Sequence, residues 1–140
     1  MREQTRWRMP AEWTGHERTW MAWPSNGYTL GDTPEEVGSA RQTWAAVARA
    51  VARFEPVTMV VAPSDIHRCR EHLRNDTAHP IDIVIADLDD AWMRDIGPSF
   101  VLSPDGELGA VDWIFNGWGA QAWATWDLDA RIAAQVADAA

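Results

Sequence analysis

The sequence is poor in cysteine and in positive charge. Its 140 residues contain one cysteine, Cys69, so no disulfide can form within the chain, and a reducing compartment is indicated. Arginine and lysine total 12 against 21 aspartates and glutamates, which gives a net charge of −9. This balance disfavours nonspecific binding to nucleic acid or to an anionic membrane. It suits a cationic small molecule, although an acidic surface also serves solubility alone.

Long apolar stretches are lacking as well. No run approaches the roughly 20 apolar residues of a membrane span. Segment 1–10 has three arginines but no apolar stretch after it, so a signal peptide is not predicted. We therefore expect a cytoplasmic protein without a membrane or nucleic-acid partner.

Tryptophan, by contrast, is abundant, with 10 residues against one tyrosine and three phenylalanines. Most of the tryptophans are expected to lie in the core or to line a cleft. A sugar-binding platform of exposed indole faces is the alternative.

Strands and helices alternate along the chain, which predicts an α/β domain. The long helix has the clearest start, because Thr33 can cap it, Pro34 suits its first position and Glu36 completes a capping box. Its predicted apolar face is Val37, Ala40, Trp44, Val47, Ala48 and Val51. In order, the predicted elements are a strand over 19–23, the helix from 34 to a stop at Pro56, a strand over 57–62, a helix over 64–73, a strand over 81–86, a hairpin of 99–102 and 108–115, a glycine-rich loop over 116–120, and a last helix capped by Asp127.

The acidic segment 87–98 is the most informative part of the sequence. It places four carboxylates, one tryptophan and one arginine within nine residues, directly after a predicted strand. Ligands of open α/β sheets bind at the carboxyl ends of strands. Trp92 and Asp95 can form half of a cation site, in which the ring covers a planar cation and the carboxylate accepts its N–H groups. In the alternative, Asp95 pairs with Arg94 or caps a turn, and Trp92 is buried.

A metal site in the same segment is the weaker hypothesis. Asp87, Asp89 and Asp90 offer hard oxygen ligands at closely spaced positions. A calcium loop beginning at Asp87 needs a glutamate where Pro98 stands. No metal is therefore predicted.

Two further groups of residues have a structural and a functional interpretation. The cluster of His67, Cys69, Glu71 and His72 lacks the spacing of a zinc site. A buried, inert thiol is predicted for Cys69, and a Cys69–His72 nucleophilic pair is the alternative. The loop 116–119 either lines a cleft, with Trp118 as a wall, or is a turn with a packed tryptophan.

Five short motifs lie in order along nearly the whole chain. They are Met-Pro-Ala-Glu-Trp at 9–13, His-Glu-Arg-Thr-Trp-Met-Ala-Trp-Pro at 16–24, Phe-Glu-Pro-Val at 54–57, Asp-Ala-Trp-Met-Arg-Asp-Ile-Gly-Pro at 90–98, and Val-Asp-Trp-Ile-Phe-Asn-Gly-Trp-Gly at 111–119. Together they resemble the N-terminal part of the agmatine deiminase family, which also holds bacterial peptidyl-arginine deiminases.

The resemblance implies a fold and an extent for the domain. The fold would be the N-terminal part of a five-bladed, pentein-like α/β propeller, built of mixed β-sheet units with flanking helices. Residues 1–140 would be the N-terminal portion of one catalytic domain, because family members are considerably longer. The family's second carboxylate, its histidine and its nucleophilic cysteine would lie beyond this chain, so the 140 residues alone are expected to be inactive.

The resemblance also implies a reaction. Agmatine would be hydrolysed to N-carbamoylputrescine and ammonia, a step toward putrescine, by a cysteine thiolate without a metal or an organic cofactor. Asp95 would accept two N–H bonds and orient the guanidinium, Trp92 would pack beside the substrate, and Asn116 and Trp118 would lie on a pocket-side loop. The family's usual loop reads Phe-Asn-Ala-Trp-Gly-Gly, so Gly117 and Ala120 are small departures.

Other functions stay open at the level of the sequence. The complete protein could act on peptidyl-arginine, or the chain could be a truncated cation-binding remnant without catalysis. The implied partner is a small guanidine compound, and a homo-oligomer of the complete protein is left open.

Overall fold

The computed structural model describes residues 6–74 and 76–140. Residues 1–5, which include the start of the N-terminal segment discussed above, and Asn75 lie outside the described residues. The described strands are β1 (Thr19–Ala22), β2 (Val57–Val61), β3 (Ile81–Ile85), β4 (Ser99–Leu102) and β5 (Leu108–Val111). The described helices are α1 (Pro34–Val51), α2 (Ile66–Leu73), α3 (Met93–Ile96), α4 (Gly117–Ala120) and α5 (Ile132–Ala139).

Two sheets organise these elements. β1, β2 and β3 form a parallel sheet in that order, with Thr19 opposite Val57 and Val57 opposite Ile81. β4 and β5 form a separate antiparallel pair. The mixed α/β fold is therefore confirmed, and β2 is the central strand, as its continuous β-branched and apolar run predicts.

Each face of β2 has its own apolar core. Side chains alternate along a strand, so Val57, Met59 and Val61 share one face, where they pack with buried residues of α1 and α2. Val60 lies on the opposite face and packs with buried residues of α3 and α5. All five residues of β2 are buried, which makes this strand the layer between the two cores.

Helix α1 begins as its capping box predicts. The Thr33 side chain accepts a hydrogen bond from the Glu36 N–H at 3.2 Å, and the Glu36 carboxylate accepts one from the Thr33 N–H at 3.0 Å. The predicted apolar face is partly wrong, because Val47 is 47% exposed whereas Ala45 is buried. Alanine is small enough to let the helix approach the sheet closely, so the buried face follows the small side chains rather than the larger valine.

Four boundaries differ from the sequence-based ones by more than one residue. α1 ends at Val51, several residues before Pro56, and α2 is preceded by a 3-10 turn over Pro63–Asp65. β5 stops at Val111 rather than at residue 115. The last helix begins at Ile132, after a 3-10 turn over Asp129–Arg131, and Asp127 does not cap it.

The tryptophans are less buried than expected. Only Trp23 is fully buried among the 10, and it donates its indole N–H to the buried Asp65 carboxylate at 2.7 Å. The exposed ones are Trp7, Trp13, Trp92, Trp113 and Trp123. A core position is therefore wrong for these five, since a large aromatic side chain in an apolar run need not face inward, although Trp123 lines a cleft as the same expectation allows.

Candidate functional site

Trp92 and Asp95 lie together beyond the carboxyl end of β3, the position predicted for a ligand site. The chain leaves β3 through residues 86–91 and enters α3, a single helical turn whose Asp95 N–H donates to the Trp92 carbonyl at 2.9 Å. Trp92 is 42% exposed, and Asp95 is exposed as well. The alternative with a buried Trp92 is therefore wrong.

The Asp95 carboxylate is not paired with its neighbour Arg94. The Arg94 guanidinium points to Glu12 of the N-terminal segment, at 3.0 Å, and both of these side chains are largely exposed. The Asp95 Oδ1 atom instead accepts a hydrogen bond from the Trp118 indole Nε1–H at 3.0 Å, across 23 residues of sequence. The structure thus brings together three of the four predicted site residues, Trp92, Asp95 and Trp118.

The loop that carries Trp118 is a left-handed helical turn. Gly117, Trp118, Gly119 and Ala120 all have positive φ angles, between 55° and 88°. The N–H of Ala120 donates to the Asn116 carbonyl at 2.8 Å, as in one turn of helix. For residues with a Cβ this conformation costs roughly 1–2 kcal/mol each, so it has to be held by other contacts.

Asn116, the fourth predicted residue, supports this turn. Its side-chain oxygen accepts a hydrogen bond from the Gly119 N–H at 2.9 Å. Gly117 packs so closely on the Trp126 ring that an added Cβ would lie within 3.0 Å of three ring carbons. The side chain of Asn116 therefore holds the loop that places Trp118.

Aromatic rings surround Trp118. Its indole stacks on Trp123 with centroids 5.4 Å apart and an interplanar angle of 24°, and Phe115 meets it edge-on at 5.1 Å. Trp123 continues to Tyr28 at 5.4 Å. These four rings form an aromatic row in the order Tyr28, Trp123, Trp118 and Phe115, and Trp118 is the member that contacts Asp95.

An open cleft of ≈ 790 Å³ adjoins this row. Tyr28, Trp44 and Trp123 supply its aromatic walls, and Asp32 and Glu36 are among its polar ones. Trp44 meets Trp92 edge-on at 6.2 Å, so one wall of the cleft contacts Trp92, and Trp123 belongs to the aromatic row. Aromatic faces and carboxylates together favour a cationic ligand.

Two other carboxylates of the acidic segment, Asp89 and Asp90, hold the loop through backbone N–H groups. Asp89 and Asp129 exchange hydrogen bonds: the Asp89 N–H donates to the Asp129 carboxylate at 2.8 Å, and the Asp129 N–H donates to the Asp89 carboxylate at 3.3 Å. The Leu128 N–H also donates to Asp89, at 2.7 Å. Asp90 is buried and accepts from the N–H of Ala91 at 2.8 Å. Burial raises the pKa of Asp129 to about 7, and the nearby Asp89 and Asp90 charges add to the rise against the backbone N–H donors.

These contacts occupy two of the three carboxylates that were considered as metal ligands. Asp89 and Asp90 are engaged with backbone N–H groups, and Asp87 is exposed at a separate small pocket. Within residues 6–74 and 76–140, no group of three or more histidine, cysteine, aspartate or glutamate side chains could hold a metal ion.

Cys69 is a buried thiol, as predicted. Burial raises its pKa to about 12, and the Asp65 charge adds to the rise. The neighbouring His72 directs its Nδ1 to the Arg68 carbonyl at 2.9 Å and packs against Trp23. The described contacts therefore give Cys69 no basic partner, and the nucleophilic pair is not formed.

Some residues around the site were not found from sequence. Trp44 was assigned only to a helix face, and Tyr28 and Trp123 were assigned nothing. Asp129 was also missed, because its carboxylate accepts from the N–H groups of Asp89 and Asp90, which are distant in sequence. No sequence signal identifies Trp123 or Tyr28, because their place in the row depends on the turn at 117–120.

Comparison with known proteins agrees with the motifs. The sequence model of the Porphyromonas-type peptidyl-arginine deiminase family matches residues 8–140. The chain belongs to this family. A Streptomyces coelicolor protein whose agmatine deiminase name is provisional is 59% identical over 133 residues, covering 95% of this chain and 38% of that protein. The agmatine deiminase of Ectopseudomonas mendocina is 38% identical over 135 residues, covering 93% and 34%.

A solved structure has the same fold over this region. The agmatine deiminase of Enterococcus faecalis superimposes with a TM-score of 0.81 at 33% identity, covering 95% of this chain and 35% of that one. The chain thus spans a little over a third of the length of the relatives it matches. In the described part of the chain, no helix is both long and apolar enough to span a membrane.

Proposed function

We propose that these residues are the N-terminal portion of a single catalytic domain that hydrolyses the guanidinium of agmatine to N-carbamoylputrescine and ammonia, in a cytoplasmic protein. The observation that carries the proposal is the exposed Asp95 carboxylate, which accepts a hydrogen bond from Trp118 and lies in the same helical turn as the exposed Trp92. The family membership and the agmatine deiminase names of its relatives support the same reaction.

In this proposal Asp95 binds the guanidinium and orients its carbon. A carboxylate can accept two parallel N–H bonds from a guanidinium, which fixes the plane of the cation. Trp92 offers an aromatic face to that plane. Asn116 holds the loop, and Trp118 and its aromatic row close one side of the site.

The bond-making residues of the reaction belong to the rest of the protein. A cysteine thiolate from beyond this chain attacks the guanidinium carbon, ammonia leaves, and water releases the ureido product. Cys69 is not that nucleophile, because its thiol is buried and its pKa is raised to about 12. The 140 residues alone are therefore proposed to be inactive, and five-bladed closure of the propeller belongs to the longer protein.

Turnover of agmatine by the natural gene product tests the proposal. We expect ammonia and N-carbamoylputrescine from the wild type, and a loss in kcat/KM of about 100-fold or more in Asp95→Ala, since a lost charge-assisted contact at the reacting group costs roughly 3 kcal/mol. Asp87→Ala, which removes an equal and exposed charge from the same loop, is the matched control and should retain activity. Wild-type kinetics in Asp95→Ala would remove Asp95 from the site.

Peptidyl-arginine is the second candidate substrate, because the matched family is described by that activity. Relative turnover of agmatine and of an arginine peptide blocked at both ends separates the two. Equal or better use of the peptide would overturn the preference for agmatine. If the gene product hydrolyses neither and still binds guanidinium through Asp95, it is a cation-binding remnant.

A further inference from the structure

The hydrogen bond between Trp118 and Asp95 has a consequence for catalysis. The torsion of an aspartate about its Cβ–Cγ bond is broad, so an exposed carboxylate samples many planes. A guanidinium fork binds two oxygens only when the carboxylate lies in the plane of the fork. The Trp118 indole donates to Oδ1 and restricts that torsion. Each carboxylate oxygen has two lone pairs, so Oδ1 can accept a second N–H while Oδ2 accepts another.

The placement of Trp118 depends on a strained backbone. Its φ of 55° and ψ of 40° lie in the left-handed region, which is rare for a bulky residue. Strain of this kind persists where surrounding contacts determine it, and it is common at functional sites. Here the surrounding contacts include the Asn116 hydrogen bond to Gly119 and the stacking of Trp123.

The ring itself is held on two sides. Trp123 covers one indole face, and Phe115 packs edge-on against the ring. Rotation of the indole would break both contacts along with the bond to Asp95. Trp118 is therefore a fixed donor rather than a mobile wall of the pocket.

We propose that Trp118 is a positioning residue, which sets the plane of the Asp95 carboxylate for two-point binding of a guanidinium. The inference rests on the proposed function of Asp95 and adds a role to Trp118 that differs from direct contact with substrate. The aromatic row then serves as the support that keeps the Trp118 N–H aimed at Oδ1.

The test is Trp118→Phe in the natural gene product, with Trp113→Phe as the matched control. Phenylalanine keeps an aromatic ring in the row but removes the N–H donor together with part of the indole surface, and the control variant undergoes the same loss. The control loses an indole hydrogen bond of the same 3.0 Å length, from Trp113 to the Ser99 hydroxyl, away from Asp95. We expect kcat for agmatine to fall about 10- to 100-fold in Trp118→Phe, on the scale of a hydrogen bond to a charged group.

The division between kcat and KM distinguishes positioning from general destabilisation. The Asp95 charge remains in Trp118→Phe, so KM should change by less than kcat, and Trp113→Phe should match the wild type in both. If the two variants have equal kcat, the inference about Trp118 is overturned. Turnover of agmatine by the wild type would still leave the proposed function intact. A wild type that turns over no guanidine would instead contradict the proposed function.

A measurement that needs no turnover tests the inference in two further cases: when the wild type turns over no guanidine, and when Trp118→Phe fails to fold. The indole N–H resonance of Trp118 should shift when methylguanidinium is added to the wild type, and that shift should disappear in Asp95→Ala. The Trp113 resonance should stay unchanged throughout. A Trp118 resonance that does not respond to methylguanidinium would overturn the inference.

Discussion

Gly117 and Gly119 offer a comparison within one turn that tests how the Trp118 loop is held. Both have positive φ, 60° and 88°, so an alanine at either position pays the left-handed penalty of roughly 1–2 kcal/mol. Only at Gly117 would the new Cβ collide with a neighbour, the Trp126 ring. At Gly119 nothing lies within 4 Å of the added carbon.

The expected difference follows from the collision. Fitting a methyl group into a packed site costs about 1–3 kcal/mol, because the neighbouring ring has to move. Gly117→Ala should therefore lower the free energy of unfolding by about 2–5 kcal/mol, against about 1–2 kcal/mol for Gly119→Ala. Urea unfolding of the natural gene product, followed by tryptophan fluorescence, measures both losses.

Comparison of the two variants separates the cost of the left-handed backbone from the cost of the collision with the Trp126 ring. If both lower stability equally, the close approach of Gly117 to Trp126 contributes nothing and the reasoning is refuted. Gly106→Ala serves as a further control, since Gly106 has a φ of 85° in the open turn between β4 and β5.

Three other outcomes follow from the structure. Asp129 has a folded-state pKa of about 7 against an ordinary value of 3.8, so between these pH values the folded protein binds more protons than the unfolded chain. The contribution of Asp129 to the free energy of unfolding is complete below about pH 4 and is lost as pH rises to about 7, by as much as ~4 kcal/mol. Asp129→Asn should flatten this fall, which urea unfolding at pH 5 and pH 8 measures. Cys69 should resist an aromatic disulfide reagent at pH 8 in the native protein and react at once in denaturant, and rapid native labelling would contradict its burial. Thr33→Ala should lower stability by about 1 kcal/mol through loss of the α1 cap, whereas Ser39→Ala, at an exposed position of the same helix, should change it little.

Much of the architecture could be predicted from local sequence patterns. The β-branched run at β2 and the capping box of α1 depend on neighbouring residues, so these elements were placed correctly. The boundaries that failed depend on distant contacts. The cap expected at Asp127 does not form, because the following segment is held by the exchange of hydrogen bonds between Asp89 and Asp129.

The same division holds for the candidate site. Trp92 and Asp95 were found from their order and from the strand before them, and the motifs identified the family. Asn116 and Trp118 were assigned to a pocket-side loop by resemblance. The bond from Trp118 to Asp95 was not foreseen, because residues 23 positions apart are not brought together by the periodicity of a helix or a strand.

The sequence by itself determined the alternation of strands and helices, the acidic segment after β3 and the family of the chain, since each of these is written in local residue order. The tertiary structure decided which carboxylates are free. Asp89, Asp90 and Asp129 are bound to backbone N–H groups, whereas Asp95 is exposed and accepts a hydrogen bond from an indole. That distinction arises only when loops distant in sequence meet, because each N–H donor comes from whichever segment the folding chain brings within hydrogen-bonding distance.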